Sequence, residues 1–159
     1  MRTLLALLLA SGGLAQAPNQ QARPSESLKQ VMRSVALPNA KVMFEVQSHA
    51  PKNDQEWRDL ENAAIRIKET ANLILTPGRL MSNGRPVPVH APDYVKYAQA
   101  LIPAGRDCLK AARMKSPDAI SNCTDLLSQA CDNCHNEFRD NQLKVNHSQV
   151  KANHHGIPG

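Results

Sequence analysis

The chain has 159 residues, and 19 Lys and Arg against 14 Asp and Glu give a formal net charge of +5. So small an excess says little about nucleic acid, which is not expected as a partner, and it points at most to a mildly acidic partner surface. Aromatics are limited to Phe44, Trp57, Tyr94, Tyr97 and Phe138, and β-branched residues do not alternate with polar ones, which excludes a sheet-based core.

At the N-terminus, Arg2 precedes the apolar run 4–10 and the breaker Ser11-Gly12-Gly13, the pattern of a signal peptide over residues 1–15. Cleavage is expected after Ala15; the alternative, after Ala17, would require cutting the bond before Pro18. The run falls short of the ~20 apolar residues that a membrane span needs, and no other segment approaches that length. A soluble, exported, periplasmic protein is therefore expected. Loss of Arg2 lowers the formal charge from +5 to +4. Residues 16–25 read as a disordered polar leader, and residues 26–140 as one domain.

Four helices are predicted in that domain. The first spans 26–48, opened by Ser25-Glu26-Ser27 with Gln30 three beyond Ser27. Its apolar stripe is Leu28, Val31, Met32, Val35, Val42, Met43 and Val46, and Pro38 within it predicts a kink. The second starts at Asn53, with Glu56 completing a capping box, and ends near Leu75 before Thr76-Pro77-Gly78. Trp57, Leu60, Ala64, Ile67, Ala71 and Ile74 form its stripe. The third runs from Pro92 to Met114, with a kink or a short break expected at Pro103-Ala104-Gly105. The fourth, capped by Ser116 with Pro117 in its first turn, carries Ile120, Leu126, Leu127, Ala130, Cys134 and Phe138 and frays near Asn141.

Short connections at 49–52 and 115–116 and a long one at 76–91 predict an all-α, antiparallel up-down-up-down four-helix bundle. Cys108 lies seven residues before the 115–116 turn and Cys123 seven after it, so a disulfide between them is expected across the hairpin. The 141–159 tail, with His147, His154 and His155, reads as disordered.

The chemistry is concentrated in Cys131-Asp132-Asn133-Cys134-His135. A C-x-x-C-H run is the attachment site of a c-type haem, one covalent haem c here. Two thiols three residues apart on a helix share a face and can add to the two vinyl groups, while His135 supplies an axial nitrogen to the iron. A zinc site would need further ligands at matching spacing, and a dithiol-redox site would need a βαβ context; neither is present in the sequence.

The topology brings the end of helix 4, the start of helix 1, the 76–91 loop and the start of helix 3 to one end, where the haem must sit. Met32 is the leading candidate for the second axial position; Met81 and His90 on the loop are the alternatives. Met43, about 16 Å further along the helix, is too far. Arg139, one turn beyond His135, is a candidate partner for the haem propionates, with Arg33, Lys29 and Arg79 behind it. Tyr94 and Tyr97 are expected to pack against the macrocycle or the core. Two propionates would reduce the charge to about +2.

Cys131-x-x-Cys134-His135 followed by Phe138-Arg139, with Met32 on helix 1, resembles the class II c-type cytochromes, the cytochrome c-prime group and its low-spin relatives. The resemblance covers roughly residues 26–140. It implies a four-helix bundle, His135 as proximal ligand, Cys131 and Cys134 as thioether anchors, and electron transfer or diatomic-gas binding. Pro38, the Cys108/Cys123 pair and the tail beyond Arg139 depart from the family pattern.

The leading expectation is an electron carrier with His and Met axial ligands that serves a redox partner protein. The alternative is a five-coordinate haem protein that binds NO or CO, with Val31 and Val35 walling the distal pocket. An enzymatic, peroxidase-type site would require a distal His or Arg, for which only His90 or Arg79 is available, and no enzyme is expected. A homodimer through helices 1 and 2 is possible in bundles of this type.

Overall fold

The computed structural model describes residues 24–139. The expected signal peptide, nearly all of the 16–25 leader, and the 141–159 tail with its three histidines lie outside the described residues. The described residues form four helices and no β-strand. No described helix is long and apolar enough to cross a membrane.

Helix α1 occupies residues 28–47 in four consecutive pieces: α-helical Leu28–Val31, π-helical Met32–Ala36, α-helical Leu37–Phe44 and a closing 3-10 turn, Glu45–Gln47. Its start is the capping box read from the sequence. The Ser27 hydroxyl accepts the Gln30 N–H, and the Gln30 side chain accepts the Ser27 N–H at 3.0 Å. The irregularity expected at Pro38 takes the form of the π-helical turn just before it. A proline ring clashes with the carbonyl four residues back and offers no N–H to the ladder, and a widened turn relieves both problems.

That turn holds one residue more than an α-turn and rotates the rest of the helix. Val42, expected in the stripe, is 38% exposed, while Asn39, Ala40, Met43 and Val46 are buried.

Helix α2, Asp54–Ile74, buries every member of its expected stripe. Asn53 caps it by accepting the Glu56 N–H at 3.0 Å. Glu56 completes the cap differently from a capping box: its carboxylate takes the Lys52 N–H at 2.7 Å and the Asn53 side-chain amide at 2.9 Å. The helix ends as expected before Thr76-Pro77-Gly78, where Gly78 adopts a φ of 82°.

Helix α3 has two α-helical segments, Pro92–Gln99 and Leu101–Arg113. The break falls at Ala100, earlier than expected, because Pro103 withholds its donor from the Gln99 carbonyl four residues back. Pro103 itself sits in the first turn of the second segment, where a missing N–H is tolerated. Gly105 therefore has a different role from a helix breaker. A Cβ there would lie 2.9 Å from the Lys68 nitrogen and 3.0 Å from the Ala64 oxygen, both backbone atoms of α2. Its missing side chain is what lets α3 approach α2 closely, and these two helices form the largest helix contact among the described residues.

Helix α4 runs from Pro117 to Cys134 and continues as a second π-helical segment, His135–Arg139. Ser116 caps it by accepting the Ala119 N–H. Its buried face is Ile120, Cys123, Thr124, Leu127 and Ala130; Leu126, expected among them, sits one position off that face and is 48% exposed. The Cys108–Cys123 disulfide joins α3 to α4 with a Cα–Cα distance of 5.2 Å.

Two sets of contacts tie the helix ends. At one end Lys115 Nζ, in the turn after α3, meets Asp54 Oδ1 at the start of α2 at 2.6 Å. At the other, the Leu28 N–H donates to the Leu80 carbonyl at 2.8 Å and the Tyr94 hydroxyl to the Ile74 carbonyl at 3.3 Å. Arg79 completes this second set. It is 6% exposed, and its guanidinium donates to the Leu73 carbonyl at 3.1 Å and to the Glu26 carbonyl.

Replacement Gly105→Ala should force α2 and α3 apart and destabilise the fold by about 1–3 kcal/mol, read from chemical denaturation. The double replacement Cys108→Ala/Cys123→Ala should lose ~3 kcal/mol, the figure for a loop of this length. A denaturation midpoint unchanged from the parent in either variant would contradict the packing or the cross-link role.

Candidate functional site

Beside the second set of contacts lies a cavity of about 640 Å³. This lies within the ~300–1,000 Å³ typical of small-molecule and cofactor sites. Helix α4 supplies Cys131, Cys134, His135, Phe138 and Arg139 to its wall, because a spacing of three or four residues keeps them on one face. Helix α1 supplies Met32, with Lys29 and Arg33 beside it. Tyr94 and Tyr97 come from the first turns of α3, and Met81 and Ser82 from the loop. All six residues singled out from the sequence, Cys131, Cys134, His135, Met32, Arg139 and Tyr94, thus line one cavity.

Other sequence candidates are placed differently. His90 is exposed and is not part of the cavity wall. Arg79 is committed to two backbone carbonyls and also lies outside the wall, so it is a structural bracket and not a partner for propionates or a distal ligand. Val31 belongs to the buried core, and neither it nor Val35 faces the cavity. The π-helical turn gives that place to Ala36, Leu37 and Ala40. Leu37 is 64% exposed even though it lines the cavity, so it sits at the mouth.

The aromatic residues lock the end of α4 over the start of α3. Phe138 meets Tyr94 edge-on at a centroid distance of 5.0 Å and an interplanar angle of 88°, and Tyr97 at 6.2 Å. Pairs in this geometry contribute about 0.5–1.5 kcal/mol beyond burial. Burial, with a smaller contribution from nearby Cys134, pushes the Tyr94 hydroxyl well above its ordinary range, so it remains a neutral donor to Ile74.

Cys131 and Cys134 are half-buried, and neither is in a disulfide. Burial first, and Cys131 second, push the Cys134 thiol up to about 11; burial and then Asp132 raise Cys131 as well. Both are neutral thiols at pH 7. A dithiol-redox C-x-x-C works through a thiol whose pKa is lowered, so the local electrostatics here are of the opposite kind. Among the described residues no group of three or more His, Cys, Asp and Glu side chains could hold a metal ion, so these side chains alone do not build a zinc site.

The wall fits a covalently held haem in its chemistry. Two neutral thiols and an imidazole lie on one side, a thioether comes from another helix, aromatic and aliphatic carbon forms most of the lining, and Lys29, Arg33 and Arg139 are available for carboxylates. Two of the contributions missed from the sequence are informative. One is the bracket made by Arg79; a basic residue following Thr-Pro-Gly gives no sign that its head group turns inward. The other is the Ala36, Leu37 and Ala40 wall, for which Pro38 was the available signal. No protein-family model, no curated protein and no solved structure matches this chain.

Proposed function

We propose that this chain is an exported, periplasmic c-type cytochrome of the class II kind, an electron carrier and not an enzyme. In this reading the helices form an antiparallel up-down-up-down bundle. Support for that topology comes from the ties at both ends of α2 and α3, Tyr94 to Ile74 and Lys115 to Asp54. Cys131 and Cys134 would hold one covalent haem c, and His135 and Met32 would be the residues that hold its iron. The observation that carries the proposal is that these four residues, from two helices distant in sequence, line a single cavity.

A haem bound here would supply a one-electron iron couple, and a thioether from Met32 among its ligands would raise the potential. The protein's own part is mechanical and electrostatic. Cys131, Cys134 and His135 hold the group rigidly from one helix. Tyr94, Tyr97 and Phe138 exclude water from its edge and restrict motion of the α4 end. Arg139, with Lys29 and Arg33 at the rim, balances the propionate charge. The cavity mouth, where Leu37 reaches solvent, gives a redox partner protein a short route for electrons.

The test is the absorption spectrum of the protein expressed with a cytochrome c maturation system. A low-spin ferric spectrum with the weak far-red band of methionine ligation is expected, and Met32→Ala should convert it to a high-spin form that binds CO rapidly. A high-spin, CO-reactive parent would instead establish the five-coordinate gas-binding reading. Cys131→Ala/Cys134→Ala should abolish the haem that survives acid-acetone extraction. Retention of covalent pigment by that double variant would overturn the attachment site.

A further inference from the structure

We infer that Asn39 is a positioning residue, which with Pro38 holds the π-helical turn Met32–Ala36 open and thereby aims Met32 into the cavity; this rests on the reading that Met32 is the distal ligand. A π-helical turn is intrinsically unfavourable and persists only where surrounding contacts hold it. Two neighbours supply those contacts here. Pro38 gives no N–H to the preceding turn, and its ring obstructs the carbonyl four residues back, so a straight α-helix through Ser34 is disfavoured.

Asn39 acts from the other side. It is only 8% exposed, in a helix whose other inward positions are apolar, where an amide is costly unless its hydrogen bonds are made. Both ends of its side chain are used. Nδ2 donates to the Val35 carbonyl, inside the π-helical turn, at 2.6 Å, and Oδ1 accepts from Arg66 Nη1 of α2 at 3.4 Å. The turn is therefore fastened to the neighbouring helix through one amide. Met32 is the first residue of that turn and lines the cavity, whereas Val35, within the same turn, does not. Closing the turn to an ordinary α-turn would rotate the two ends of α1 relative to each other by about one residue, or roughly 100°. Met32 and the Ala36, Leu37 and Ala40 wall could then no longer share the cavity.

The experiment compares the haem-loaded parent with Asn39→Asp, Pro38→Ala and Met32→Ala. Asn39→Asp keeps an acceptor for Arg66 but loses the donor to Val35, and Pro38→Ala restores the backbone donor that favours an α-turn. Both should keep their covalent haem. Both should lose at least half of the far-red methionine band, show a lower midpoint potential and bind CO roughly tenfold faster. Pro38→Ala is the milder change and decides the matter if Asn39→Asp does not fold. Variants that melt at lower temperature yet keep the parental band, potential and CO rate would overturn the inference and make Asn39 a packing residue. If Met32→Ala itself leaves the parental spectrum intact, the ligand assignment fails first, and the turn has no ligand to aim.

Discussion

A buried guanidinium whose partners are backbone carbonyls organises the cavity end of this protein. Arg79 reaches from the loop to Leu73, in the last turn of α2, and to Glu26, just before α1. Carbonyls at a helix C-terminus carry partial negative charge, so a cation there adds to the turn hydrogen bonds that the Leu73 carbonyl accepts from Leu75 and Thr76, as well as joining two segments. That bracket acts with the Leu28–Leu80 hydrogen bond and the buried Val87 to hold the loop that brings Met81 and Ser82 to the cavity wall. A buried charge is expensive to desolvate, and its bonds to two chain segments offset that expense.

The second constraint is helical phase. α1 and α4 each depart from α-helical geometry once on the cavity side, over Met32–Ala36 and His135–Arg139. In each case the first residue of the irregular segment is the one proposed to face iron. A widened turn changes side-chain direction without breaking the helix, which keeps a residue both rigid and off the regular stripe. Rigidity suits a carrier, because a ligand set that changes little between oxidation states keeps reorganisation small. The aromatic contacts of Phe138 with Tyr94 and Tyr97 serve the same end from α4.

Most of the helix boundaries were legible because their signals are local. Ser27 with Gln30, Asn53 with Glu56, and Ser116 with Pro117 each announce a helix start through hydrogen bonds that span three residues. The C-x-x-C-H run stood out for the same reason, since the thioether attachment proposed for it would fix its spacing. Features that depend on what another helix contributes were harder to read. Pro38 signalled an irregularity but not its form, so Val42 was assigned inward and Leu37 was overlooked. Gly105 beside Pro103 read as a breaker, while the helix runs through both; its meaning lies in the α2 backbone 2.9 Å away. Arg79 gave no sign of burial, because nothing in its neighbours shows which carbonyls its head group will meet.

The Cys108–Cys123 bond has a consequence besides stability. The chain has four cysteines, and this bond removes two of them from the thiol population. What remains is a single adjacent pair, Cys131 and Cys134, on the cavity wall. A group that adds to two thiols then meets only one pair in the folded chain, and attachment in a wrong register has no sulfur to use. In the proposed reading the cross-link would act by subtraction, leaving this pair as the addition site by withholding one thiol of α3 and one of α4.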